Sequence, residues 1–264
     1  MVGKLMKHEW RRTRGILGIM TLIAIGIGVI AWIGSMISPI VFGPTFMIGV
    51  LVASLLPFAT QVYLAMHLYQ TTYGRRGYFE HAIPVKGSTL LLTKYLYAAI
   101  VSVFSLALSA ILIYLLHLGE RNIGSSTVAG FGQAWELLGQ WSPWAQPLVI
   151  VGGFLTVLSY LAHFYFSVTV GSESWINKQG VMGPVLVFVL VYVGLQLVSF
   201  LGLFIPPAYS IERGQWEWGI PFLTLVNNSD SGSLPAMAII LSFVASGVLL
   251  WRAVVSVNKK LELR

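Results

Sequence analysis

His163 and Ser172 are the nearest this sequence comes to a catalytic pair. His163 lies in a long apolar stretch that Gly171-Ser172-Glu173-Ser174 closes. An imidazole taking the proton of a hydroxyl would make a serine nucleophile, and such pairs are defined by geometry rather than by order along the chain. Spacing alone supplies no geometry here, and the serine belongs to a turn at the end of the stretch. His67 stands in a similar place near the end of an earlier apolar stretch. Histidines at such ends more often hydrogen-bond at a membrane interface than catalyse. The sequence holds no His-Glu-x-x-His zinc pattern and no Gly-x-x-x-x-Gly-Lys-Ser/Thr phosphate loop. It has no cysteine, which excludes thiolate metal sites and thiol catalysis. An intramembrane Ser/His hydrolase therefore stands only as an alternative, beside sensor and scaffold roles.

The elements that must position these residues are set by composition. Of 264 residues, 56% are apolar and 9% charged, with a mean hydropathy of +0.80. A soluble domain carries about 25% charged residues, so the chain is read as an all-α polytopic membrane protein. From Gly15 to Gly74 there is no Asp, Glu, Lys or Arg, too long a run for one span of about 20 residues. Ser38-Pro39 and Gly43-Pro44 divide it, because proline disfavours continuing a helix through those positions. The expected spans are 15–37, 45–69, 90–117, 147–171, 181–205 and 234–256, within a single transmembrane domain over 1–264. Span 1 follows a basic start, but its apolar run is longer than a signal-peptide core, so it is read as retained.

Charge gives the orientation. The segments 1–14, 70–94, 172–180 and 252–264 hold fourteen of the sixteen Lys and Arg, while 38–44, 118–146 and 206–233 hold two, Arg121 and Arg213. The positive-inside rule then makes the first set, with both termini, cytoplasmic. The net charge of +7 is thereby a topology signal beside anionic membrane lipids, and nucleic acid is not an expected partner. No charged side chain falls within the body of a span, which weakens any transporter coupled to protons or ions. Uphill transport by this chain would need energy from a partner.

Two segments outside the spans carry the functional reading. In 1–14, Val2, Leu5, Met6, Glu9 and Thr13 share one face at helical spacing, Trp10 flanks it, and basic residues fill the remainder. That pattern suits an amphipathic interfacial helix, and equally a positive-inside anchor. Between spans 2 and 3, Gly74 and Gly77 flank Arg75-Arg76 as a turn. Tyr78-Phe79-Glu80-His81 follows, and Pro84 closes the stretch. An exposed aromatic and polar patch on a rigid loop suits docking into a groove on a cytoplasmic protein; a bare connector is the other reading. Ser88 is the expected cap of span 3, and Lys94 is expected to snorkel from its first turn.

The run Tyr-Gly-Arg-Arg-Gly-Tyr-Phe…Ile-Pro-Val…Leu-Leu-Leu-Thr-Lys, over residues 73–94, resembles the loop between spans 2 and 3 of bacterial type-2 ABC transporter permeases. Lys7-His8-Glu9-Trp10 is similar to that family's basic start, and six spans in about 260 residues agree with it. Lys86 stands where the family commonly has Ser, and Glu80-His81 where Thr or Phe is usual. The resemblance implies a permease subunit of an ATP-driven exporter in a bacterial plasma membrane. It would pair with a second permease subunit, identical or different, and dock a cytoplasmic ABC ATPase dimer that binds the ATP and Mg. Residues 74–87 would form the coupling helix, with Arg75, Arg76, Tyr78, Phe79, Glu80, His81 and Pro84 meeting the ATPase. Leu5, Met6, Glu9 and Trp10 would mark the interfacial connecting helix. Spans 2 and 5 would line the cargo path with Gln61, Tyr63, His67, Gln196 and Ser199, although polar residues in spans also serve as hydrogen-bonded packing. The chain itself would hold no cofactor, metal or catalytic residue. An apolar path with few polar groups favours an amphipathic or hydrophobic cargo such as a peptide, lipid or drug.

The alternate loops are rich in Trp, as expected of an interfacial belt. By the same resemblance, 211–229 is expected to dip back as short re-entrant helices. On span 3, Ala98, Ser102, Ser105 and Ser109 form one small-residue face, expected to pack closely against a neighbouring helix.

Overall fold

A computed structural model describes residues 2–74, 77, 85–123, 139, 143, 145–173, 180–210, 214–226 and 233–259. In chain order these form α1 (Val2–Ile37), α2 (Pro39–Leu68) continued by a π-helical turn (Tyr69–Tyr73), α3 (Gly87–Ile123), α4 (Ala145–Gly171) and α5 (Met182–Gly202). Three short strands and one short helix come next: β1 (Ala208–Ser210), β2 (Gln215–Glu217), α6 (Pro221–Val226) and β3 (Ser233–Pro235). The last element is α7 (Ala236–Lys259). Among the described residues, six helices are long and apolar enough to cross a membrane, over Val2–Ile37, Ile40–Tyr73, Gly87–Gly119, Ile150–Gly171, Met182–Gly202 and Ala236–Asn258. The protein is an all-α multi-pass membrane protein with a small sheet inserted before its last helix.

The chain divides into two compact units, Met1–Leu64 with Leu96–Gly139, and Ala65–Tyr95 with Gln140–Arg264. The first is held by small residues that let helices approach closely. Ala24, Ala53, Leu56 and Leu112 form one buried cluster, and Ala31, Phe42, Phe46 and Leu116 another. A Cβ on Gly28 would meet the Leu112 side chain at 2.9 Å, and one on Gly49 would meet Leu116 at 3.1 Å. Ala98, Ser102, Ser105 and Ser109 are all buried, and Ser109 donates to the carbonyl of Ala53 on α2. The face expected on span 3 is thus a packing face.

In the second unit α4 packs against α5 and α7, and α5 against α7. Gly202 makes the last contact possible, since a Cβ there would lie 2.4 Å from the Ala238 Cα. The strands form an antiparallel sheet in the order β2-β1-β3, with Tyr209 opposite both Trp216 and Leu234.

Four expectations need correction. Residues 2–37 are one uninterrupted helix, so there is no joint between an interfacial piece and span 1; neither Gly15 nor Gly18 is enough to break a helix whose neighbours favour it. The turn expected over 38–44 is reduced to Ser38. Pro39 occupies the first helical position, where its missing N–H costs nothing, the Val41 N–H donates to Ser38 Oγ at 3.4 Å, and Pro44 lies inside α2. Among the described residues of 211–229, which are 214–226, the chain does not form a set of re-entrant helices: 215–217 is a strand and 221–226 is the one helical stretch. Gly214, at φ +65°, turns the chain back so that the alternating Gln215-Trp216-Glu217 pairs with β1. Finally, Ser88 does not cap α3, which begins at Gly87, and its N–H donates to Asn258 Oδ1 at 3.1 Å. Lys94 does not snorkel; it is buried.

Candidate functional site

The second unit contains a cavity of about 450 Å³ between α4, α5 and α7. From α4 it takes Thr156, Ser159, Tyr160 and His163; from α5, Tyr192, Gln196, Ser199 and Phe200; from α7, Ala238, Ile239, Ser242, Phe243 and Ser246. One wall is a ladder of hydroxyls. Ser246 donates to the Ser242 carbonyl at 2.7 Å and Ser242 to the Ala238 carbonyl at 2.8 Å. With those protons committed, Ser199 donates to Ser242 Oγ at 2.9 Å, and His163 Nε2 donates to Ser246 Oγ at 3.1 Å. These bonds join α5 and α4 to α7 through side chains, the kind of polar contact that holds helices together in lipid. Tyr160 lies edge-on to His163, with ring centroids 5.6 Å apart. No Asp, Glu, Lys or Arg lines the cavity among the described residues.

A second cavity of about 400 Å³ adjoins the first. Thr156, Ile239 and Phe243 line both, and the rest of the second is apolar and aromatic, with Val151 and Leu155 from α4, Ile240 from α7, and Tyr209, Trp216 and Leu234 from the sheet. Tyr209 and Trp216 meet edge to face at 5.2 Å. The sheet therefore forms one wall of the apolar cavity.

Two polar clusters lie at helix ends of the same unit. Lys94 Nζ donates to Thr71 Oγ1 at 2.7 Å and Thr72 Oγ1 at 2.9 Å, fixing the π-helical turn where α2 ends. Its carbonyl accepts from Tyr165 on α4 at 3.1 Å. Gly74 closes the turn by donating to the Tyr69 carbonyl at 2.9 Å, and a Cβ there would sit 2.7 Å from the Gln70 oxygen. At the end of α4, Glu173, 2% exposed, accepts from Arg252 Nη2 at 2.8 Å and from Ser256 at 2.7 Å, both on α7.

The residues singled out in the sequence fall as follows. Gln196 and Ser199 line the first cavity. Gln61, Tyr63 and His67 lie on α2 and do not: Gln61 is buried, the other two partly so, and Gln61 and Tyr63 belong to the first unit, His67 to the second. Leu5, Met6 and Glu9 face inward on α1, Glu9 and Thr13 being buried, while Trp10 is exposed. Arg75, Arg76, Tyr78, Phe79, Glu80, His81 and Pro84 lie outside the described residues; beside them, Gly77 donates to the Gly74 carbonyl at 2.8 Å, closing the turn expected there. The pair His163/Ser172 does not form. Ser172 is buried and donates to the Val168 carbonyl at 2.7 Å, and the serine that His163 meets is Ser246. That hydroxyl is bound to its own helix, and no carboxylate orients the imidazole among the described lining residues. Ser242 and Ser246, one helical turn apart, are the signal the sequence offered for this wall and that spacing alone left unread.

No protein-family model, curated protein or solved structure matches this chain.

Proposed function

We propose that this chain is the membrane-spanning permease subunit of an ATP-driven exporter for an amphipathic or hydrophobic cargo. It works by alternating access at an interface with a second permease subunit, homodimeric or heterodimeric. ATP and Mg are bound and ATP hydrolysed by a cytoplasmic ABC ATPase dimer, and this chain is not itself an enzyme. It lies in a bacterial plasma membrane with both termini cytoplasmic, an orientation supported by the fourteen basic residues on one set of segments.

The observation that carries the reading is the way the loop after α2 is tied at its ends. Lys94, beyond the loop, bonds Thr71 and Thr72, before it, and its carbonyl engages Tyr165 of α4. A loop that takes a push from a partner must pass it to the helices on both sides, and a buried charge-assisted bond between its two ends does that. The loop between them is the segment whose sequence resembles the coupling helix of type-2 ABC permeases. Gln196 and Ser199, in a half-apolar cavity, supply the polar contacts an amphipathic cargo needs.

The test is reconstitution with the ATPase that co-purifies with the chain. Tyr78→Ala, Phe79→Ala and Glu80→Ala are expected to leave basal ATP hydrolysis in place and abolish its stimulation by transport. Full stimulation in all three variants would remove this loop from the coupling role, and failure of any ATPase to co-purify would remove the permease reading.

A further inference from the structure

The first cavity holds more polar groups than its own hydrogen bonds use. Ser159, Tyr160, Tyr192 and Gln196 line it, and none of their side-chain polar groups bonds another described residue. Ser159 is telling, because Thr156, Ser167, Ser172, Ser242 and Ser246, on α4, on α7 or just past α4's end, all donate to a backbone carbonyl four residues earlier. Within a membrane span an unbonded polar group costs several kcal/mol in hydrocarbon, so this wall is built for something with hydrogen-bonding capacity. The ladder fixes what kind. Ser199 and Ser246 have their protons committed and present lone pairs, which accept from a hydroxyl. The Gln196 amide and the tyrosine hydroxyls present protons, which suit a carbonyl or ether oxygen. Among the described residues lining the two cavities no Asp, Glu, Lys or Arg is present to pair with an ionic head, which in this setting would be costly. Past the shared wall of Thr156, Ile239 and Phe243, the second cavity offers hydrocarbon surface and the Tyr209–Trp216 pair. Both volumes fall in the usual range of small-molecule sites, about 300–1,000 Å³.

We propose that the two adjoining cavities of the second unit bind one neutral, single-chain amphiphile. Its hydroxyl- and ester-bearing head lies on the Ser199–Ser242–Ser246 ladder, and its hydrocarbon chain lies across Ile239 and Phe243 beneath the sheet. The apolar cavity, about 400 Å³, has room for about one hydrocarbon chain. The site is complete within one copy of this chain. It rests on α4, α5 and α7 being membrane-embedded and needs no ATPase.

The experiment uses the full chain, purified alone and placed in phosphatidylcholine vesicles, with a monoacylglycerol carrying a diazirine in its hydrocarbon chain. After illumination, adducts are expected to concentrate on 151–163, on Tyr209 and Trp216, and on 234–243. Unlabelled monoacylglycerol should displace them, and oleate at the same concentration should not. Gln196→Leu, at an exposed position that folding tolerates, and Ser199→Leu should each lower labelling about tenfold, the loss of one hydrogen bond to the head. Val189→Leu, on the exposed side of α5, should leave it unchanged. Adducts spread evenly over all six spans, or labelling indifferent to both Leu variants, would overturn the site. Equal competition by oleate would overturn the neutral class. Labelling intact in a chain with which no ATPase co-purifies would count against the permease reading and leave this site standing.

Discussion

The two units hold their helices together with different balances of close packing and polar bonds, although the second also has close glycine contacts such as Gly202 against Ala238. In the first, Gly28, Gly49, Ala31, Ala53 and the Ala98–Ser109 face let helices touch, and the contacts are apolar apart from a few side-chain hydrogen bonds such as Ser109 to Ala53 and Thr13 to Tyr97. In the second, α4, α5 and α7 are joined through His163, Ser199, Ser242 and Ser246, and through the Glu173–Arg252 pair. Lipid offers no hydrophobic drive to associate helices, so close packing and interhelical hydrogen bonds are the available forces. Side-chain bonding spaces helices apart and leaves the cavities. The two cavities described lie in the unit whose helices are joined by polar groups.

Removing the strongest polar tie is the hardest test of that contrast. Glu173→Ala leaves Arg252 and Ser256 without this acceptor and should destabilise the protein by about 2 kcal/mol, less than for a fully buried ion pair because Arg252 is 30% exposed. Thermal unfolding in detergent reads this, and an unchanged midpoint would mean the second unit does not depend on the pair. Overfilling the dry interface comes next. Ala98→Leu, at a fully buried position, should cost about 2 kcal/mol by forcing off-rotamer packing. Ala238→Leu, beside Gly202 and the cavity, sharpens the comparison, because a Leu that grows into the cavity should cost less than one on the Ala98 face. Lys94→Met removes two hydrogen bonds from the π-helical turn, about 1–2 kcal/mol. Faster amide exchange confined to 69–74 would locate that loss. The smallest effect is Ser199→Ala, about 0.6 kcal/mol for one interhelical hydroxyl pair, to be read by the same unfolding assay against Ser54→Ala, whose hydroxyl bonds only its own helix.

The spans were legible because the chain has so few charges that each one marks a border. The inward face of α1, with Leu5, Met6, Glu9 and Thr13, and the small-residue face of α3 were legible from a period near 3.6. Gln196 and Ser199 were legible as polar residues among apolar neighbours. What was hidden needed pairs distant in sequence. His163 meets Ser246 and Glu173 meets Arg252 across five intervening elements, and nothing local announces either. Lys94 looked free to reach water because the groups that bury it, Thr71 and Thr72, come together only in a π-helical turn, which has no periodicity of its own. The strand at 215–217 was missed because tryptophans near a membrane border read as a belt, although their alternation with Gln215 and Glu217 has the period of a strand.

The unbroken α1 has a mechanical consequence. Its 36 residues make a rod about 54 Å long at 1.5 Å per residue, against a hydrocarbon core of about 30 Å. A large fraction of that rod must project beyond the oily layer or tilt steeply within it. Without a joint near Arg14, the basic end cannot swing freely, so any torque applied to Lys4, Lys7 or Arg11 arrives at Ala24 and Ala31, inside the packed first unit, as a rotation of the same body. The helix is a lever whose handle is charged and whose fulcrum is buried.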